Sequence, residues 1–139
     1  MPINRPVTKT VISTTQWGIP ITDEVNALRT ELNALKPTAW TGITTFQNGW
    51  VSIAIGQPCQ YRKIGDTVHL RGEIGGGTLN SIAFTLPTGF RPPFYLQTAV
   101  YGNNGAAQVM VSVIVNADGR VGVYGANGAV GMYLSFSVL

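Results

Sequence analysis

Hydrophobic and polar positions recur along the chain with two different periods, and the change falls near residue 38. Before it, Ile21, Val25, Leu28, Leu32 and Leu35 are spaced four, three, four and three residues apart, which predicts a helix with one narrow apolar seam. Thr22 is placed as its N-cap, Asp23 and Glu24 in its first turn and Lys36 in its last, and Pro37 stops it. A heptad assigns Ile21, Leu28 and Leu35 to one core position and Val25 and Leu32 to the other. A helix of about 15 residues, roughly 22 Å, is marginal alone in water, so the seam requires a partner. It either packs on the chain's own β region or forms a short parallel coiled coil between identical chains. A seam two residues in seven wide and the break at Pro37 favour the coiled coil, and so few positions leave dimer and trimer both open.

From residue 38 onward the period is two, the mark of strands with one buried and one exposed face. Val68, Leu70, Gly72 and Ile74 alternate with Thr67, His69, Arg71 and Glu73. Val109, Val111, Val113 and Val115 alternate with Met110, Ser112, Ile114 and Asn116, and Val130, Met132, Leu134, Phe136 and Val138 with Gly131, Tyr133, Ser135 and Ser137. Turn pairs separate the runs: Asn48-Gly49, Gly65-Asp66, Asn104-Gly105, Asp118-Gly119 and Asn127-Gly128. This spacing predicts a mainly β chain, an antiparallel β-sandwich of about eight strands over residues 38–139. The strand of Met110 and Ile114 is apolar on both faces, so its second face is expected to meet another sheet or another subunit. Residues 1–20, with Pro2, Pro6 and Pro20 among Thr and Val, are expected to form an extended arm that binds along another surface.

Composition narrows the class. The chain has 139 residues, enough for one domain and a short appendage. Charged residues are 11% against a usual share of about 25%, while Gly 17 and Pro 8 exceed the usual combined share of about 12%. Many turns follow. A hydrophobic content of 45% is too high for a disordered chain, and no apolar run approaches about 18 residues, so no membrane insertion is expected. The net charge of +3 comes from nine cations against six anions, of which only Arg62 and Lys63 are adjacent cations. That is too dilute for a phosphate-backbone binder, and nucleic acid is not an expected partner. The N-terminus has no apolar h-region, so signal-peptide export is not expected.

Little of the sequence resembles catalytic or metal chemistry. Cys59 is the single cysteine; it can form no internal disulfide, and a buried, inert thiol is expected. His69 shares its face with Thr67, Arg71 and Glu73, which suits an exposed or interface histidine. A glycosidase needs two carboxyl groups roughly 5 to 10 Å apart. Asp66 and Glu73 have opposite parity in one extended run and would lie about 23 Å apart; Asp118, or a carboxylate of another subunit, could still approach one of them. Gly75-Gly76-Gly77-Thr78 lacks the Gly-Lys-Ser/Thr of a phosphate loop and is expected to be a flexible connection between strands. Gly119, Gly122, Gly125, Gly128 and Gly131 recur in threes without proline, which reads as hairpin glycines rather than collagen. No catalytic residue, metal or cofactor is expected. Tyr95, Tyr101, Tyr124 and Tyr133, in strands or near their ends, are the candidates for binding, because amphipathic rings stack on sugars and peptides.

The run Tyr61-Arg62-Lys63-Ile64-Gly65-Asp66-Thr67-Val68-His69-Leu70-Arg71-Gly72, followed by Phe84-Thr85-Leu86-Pro87-Thr88-Gly89-Phe90-Arg91-Pro92-Pro93 and then by Asn116-Ala117-Asp118-Gly119, resembles the C-terminal head domains of tailed-phage fibre and receptor-binding proteins. The resemblance covers roughly residues 40–139. It implies a trimeric, jelly-roll-like β-sandwich head carried on a coiled coil or neck, part of a virion, that contacts a bacterial surface or another virion protein. Within it Tyr61, Gly65, Asp66, Gly72, Leu86, Pro87, Gly89, Arg91 and Pro92 read as fold motif rather than binding site. On this resemblance residues 1–20 are the virion-attachment arm, 21–37 the coiled-coil helix and 38–139 the head. The absence of an extended shaft suits a short spike, a tail-tip appendage or a head decoration. The function expected is therefore a non-enzymatic virion protein, a homotrimer whose head binds a host-surface glycan or protein. A decoration or connector protein without receptor is the alternative, and a glycan depolymerase is the less favoured one.

Overall fold

The computed structural model describes residues 18–53 and 55–139, with side chains described from residue 22. The chain divides into two units between Lys36 and Pro37. The described part of the first is one helix, α1, Gly18–Leu35. It begins earlier than the expected start at residue 21, so Thr22 lies inside it and is not the N-cap, Asp23 and Glu24 lie beyond its first turn, and Lys36 lies past its last residue. Pro20 does not prevent this, since amides in a helix's first turn have no intrahelical acceptor to lose. The extended arm expected over residues 1–20 falls, as far as residue 17, outside the described residues.

The second unit, Pro37–Leu139, is two antiparallel sheets over one core. The first sheet has the order β1-β3-β4-β11, formed by Thr41–Gly42, Gln60–Ile64, Thr67–Arg71 and Leu134–Ser137. The second has the order β2-β5-β10-β7-β8-β9-β6, formed by Val51–Ser52, Glu73–Gly75, Val130–Gly131, Leu96–Asn103, Gln108–Val115, Arg120–Tyr124 and Ser81–Thr85. The described residues thus contain eleven strands where about eight were expected. Part of the excess has a single cause. The run from Thr67 to Ile74, expected as one strand, is broken at Gly72 into β4 and β5, and the run from Val130 to Val138 is broken at Met132 and Tyr133 into β10 and β11. Each broken strand passes from one sheet to the other, and they do so together: Leu134 pairs with Leu70 in the first sheet, Gly131 with Glu73 in the second, and between them the Met132 amide donates to Gly72 O at 2.8 Å.

Side chains from both sheets close the core. Val68, Leu70 and Phe136 of the first meet Ile74, Val111, Val113, Val121, Val123 and Val130 of the second in one cluster with Phe84, Leu86 and Met132. Alternation placed Val68, Leu70, Ile74, Val111, Val113, Val130, Met132 and Phe136 on buried faces because a pleated strand sends every second side chain to the same side; Val121, Val123, Phe84 and Leu86 lie outside the runs it read. Trp50 is buried just before β2, and its indole N–H donates to Ser81 Oγ at 2.9 Å. The indole lies directly against Gly77, where a Cβ would collide with the ring. The triple glycine is therefore the seat of a core tryptophan and not the flexible connection expected.

Candidate functional site

The three segments that carry the phage-head resemblance pack onto one another. Gly65 and Asp66 form the two-residue turn of the β3-β4 hairpin, with Gly65 at φ +59° and Ile64 paired with Thr67. Tyr61 meets the Phe90 ring edge-on at 4.9 Å, and Lys63 Nζ donates to Gly89 O at 3.0 Å. The Phe90 amide donates to Pro87 O at 3.1 Å across a turn whose third residue, Gly89, has φ +94°. Arg91 Nε donates to Leu86 O at 2.8 Å, and the Leu86 amide donates to Gly119 O, also at 2.8 Å, which ties in the β8-β9 turn. Pro92 follows in the same loop. These bonds join backbone to backbone or spend a cation on a carbonyl, so the cluster holds a loop in place and offers few free groups.

The outer face of the seven-stranded sheet is different. Neither β7 nor β8 contains a charged residue. Tyr101 and Met110, paired directly across the hairpin, are 52% and 79% exposed. Beside them lie Ala99 opposite Ser112 and Gln97 opposite Ile114, with Gln97 Nε2 donating to Ser112 Oγ at 2.7 Å. A shallow groove of about 400 Å³ runs between Ala99, Tyr101, Gln108 and Met110. Glycines bring two further tyrosines onto this face. Tyr124 lies over Gly122, where a Cβ would come within 2.6 Å of its hydroxyl, and Tyr133 lies over Gly131, where a Cβ would come within 3.3 Å of its ring. Three of the four candidate tyrosines thus share one surface. Tyr95 stands apart in the loop before β7, next to Phe94, and both are strongly exposed. The exposed Met110 and Phe94 were not among the candidates; the two-sided apolarity of β8 was the signal for the first.

The outer face of the four-stranded sheet carries charge. Val68 and Leu70 point inward, so Arg71, His69 and their cross-strand partners Gln60 and Arg62 point outward, with Ser135 beyond His69. Both guanidiniums lie on one indole, at 3.9 Å for Arg71 and 4.5 Å for Arg62 from the Trp40 ring centre. Arg71 also donates through Nε and Nη2 to Gln60 Oε1 at 2.9 and 2.7 Å. Sequence reading left Trp40 out of this group, because nothing local links residue 40 to residues 62 and 71.

The remaining reactive groups are engaged or buried. Cys59 is buried, and loss of hydration pushes its thiol up to about 12. Asp118 accepts from the Arg120 amide at 3.1 Å and pairs with its guanidinium at 2.8 Å, contacts that hold its carboxyl below the usual range. Asp66 sits in the β3-β4 turn and Glu73 begins β5, so the whole of β4 and the Gly72 bend lie between them. Among the described residues no three His, Cys, Asp or Glu side chains gather as a metal site would require. The heptad residues Val25, Leu28, Leu32 and Leu35 are 43, 64, 60 and 62% exposed in the single chain; the side chain of Ile21 lies outside the described ones.

No family model matches the sequence, and no curated protein matches it. Among solved structures, the receptor binding protein gp15 of Listeria phage PSA is similar at a TM-score of 0.57 over 96% of this chain and 88% of that one, with 19% sequence identity. At that identity the likeness is one of fold, and it extends over nearly the whole of both chains. The mainly β, two-sheet head expected from the three sequence segments is a fold that this chain shares with a phage receptor-binding protein.

Proposed function

We propose that the chain is a non-enzymatic phage tail protein, a short homotrimeric spike whose β head binds a glycan on the host surface. The observation that carries this reading is the fold shared with a phage receptor binding protein over 96% of the chain. In the reading, α1 trimerises through Val25, Leu28, Leu32 and Leu35, the segment before it docks on another virion protein, and the head presents its tyrosine face, on which β7 and β8 carry no charge. Rings of Tyr101, Tyr124 and Tyr133 on one exposed surface suit the apolar faces of sugars, and neutral Gln and Ser side chains suit their hydroxyls. The shallow groove suits weak individual sites. Three linked sites can gain about 10²-fold or more in avidity, so a weak head still attaches a particle. Asp118 is held by Arg120, and the whole of β4 and the Gly72 bend separate Asp66 from Glu73, which supports binding without hydrolysis.

Adsorption tests the reading. The purified full chain is expected to bind cells of the strain on which the phage grows and to compete with the phage for them. Failure to bind, with particles still adsorbing, overturns the receptor role; shortening of the host's surface polysaccharide by the protein overturns the non-enzymatic one.

A further inference from the structure

The outer face of the four-stranded sheet combines like charges with spare donors. The guanidinium carbons of Arg62 and Arg71 lie 4.5 and 3.9 Å from the centre of the same Trp40 ring, which holds the two positive charges beside one indole. Such crowding opposes itself unless an anion is near. No strand of this sheet contains an acidic residue, and the ion pair among the described residues, Arg120 with Asp118, involves neither arginine. Stacking occupies the flat faces of the guanidiniums and leaves their N–H edges to bind. Arg71 has committed one edge to Gln60. Arg62 has a buried Nε without any hydrogen-bond partner, and a desolvated donor without an acceptor is costly and rare. His69, directly opposite Arg62, adds a ring nitrogen to the same patch.

We infer that Arg62, Arg71 and His69, braced by Trp40 and Gln60, form a site for an oxyanion: a phosphate or carboxylate group borne by a surface glycan. Guanidinium edges pair with two oxygens of such a group at once, which a neutral sugar does not offer. The indole fixes both arginines beforehand, so little side-chain freedom is lost on binding. The inference rests on the receptor reading for the source of the anion, and on the geometry of this sheet for the site itself.

Titration of the ¹⁵N-labelled full chain with inorganic phosphate, and separately with acetate, tests it. Saturable shifts are expected at the Trp40 indole N–H and at the amides of Arg62, His69 and Arg71, with a Kd of about 1 mM. Binding should weaken about tenfold in Arg62→Gln and in Arg71→Gln, and should be unchanged in Arg120→Gln, with each variant's thermal midpoint recorded. Where a Gln variant fails to fold, Arg62→Lys or Arg71→Lys keeps the charge, removes the paired donors and is expected to weaken phosphate as well. Saturation by phosphate alone identifies phosphate as the group, saturation by acetate alone identifies carboxylate, and equal saturation by both supports an oxyanion site open to either. Shifts that do not saturate, or that are equally reduced in Arg120→Gln, overturn the site. Phosphate binding without adsorption to cells overturns the receptor reading and leaves the site standing, whereas adsorption without phosphate binding does the reverse.

Discussion

The amide of Met132 donates to the carbonyl of Gly72 at 2.8 Å at the point where both strands leave one sheet for the other. The bond keeps the register unbroken across the corner, from Leu134 opposite Leu70 to Gly131 opposite Glu73. The bend needs φ +110° at Gly72, and a Cβ there would strike the backbone of Pro58 and Cys59. Gly72→Ala should therefore combine left-handed strain with a collision that no side-chain rotation relieves. A loss of at least about 3 kcal/mol is expected, read as a fall in the urea midpoint. A loss below about 1 kcal/mol would mean that the corner is not fixed at this residue.

The exposed heptad row predicts the assembly. Each Leu that becomes buried contributes about 1.5 to 3 kcal/mol, so two aspartates in the seam should abolish association. The intact chain is expected to scatter light as a trimer, near three times 14.8 kDa, and Leu28→Asp/Leu32→Asp as a monomer. Equal masses for the two proteins would remove the coiled coil and the avidity that depends on it.

Cys59 gives the protein a dependence on alkaline pH. Its thiol moves from an ordinary 9.0 to about 12 in the fold because burial disfavours the thiolate. With the folded value above the unfolded one, the contribution is fully present below pH 9 and is lost as pH rises toward 12, since the unfolded chain releases its proton first. Stability should decline over that window in the native protein, and the decline should be shallower in Cys59→Ala. Reaction with a disulfide reagent at pH 8 should be limited by unfolding; rapid labelling of the native chain would contradict the burial.

Tyr101 and Met110 separate binding from folding. Both side chains are exposed, so Tyr101→Ala and Met110→Ala should change stability by no more than about 0.5 kcal/mol. In the proposed trimer, cell binding should nevertheless fall about tenfold or more, because each loss would be multiplied over three sites. Unchanged binding by both variants would move the contact to another face.

Local sequence determined which residues are buried and where the chain turns. Val68, Leu70 and Ile74 are buried in the predicted alternation, as are Val111, Val113 and Val115. Asn48 and Gly49 both take the positive φ that a tight turn between them requires. Pleat period and turn chemistry are properties of neighbouring residues, so the sequence displays them directly. The sandwich class and the Tyr61 to Gly72 hairpin were legible for that reason. Alternation also runs unbroken through Gly72, which is why the corner was invisible: a strand that crosses between sheets keeps the same face toward the core on both sides. Tertiary structure alone decided the rest. It placed β10 beside both β5 and β7, which brought Tyr133 onto the face of Tyr101. It also laid Trp40 against Arg62 and Arg71 and set Trp50 on Gly77. These meetings join residues more than twenty positions apart. They depend on which strands become neighbours, and the packing of the whole core selects those neighbours, since no short stretch of chain contains both partners.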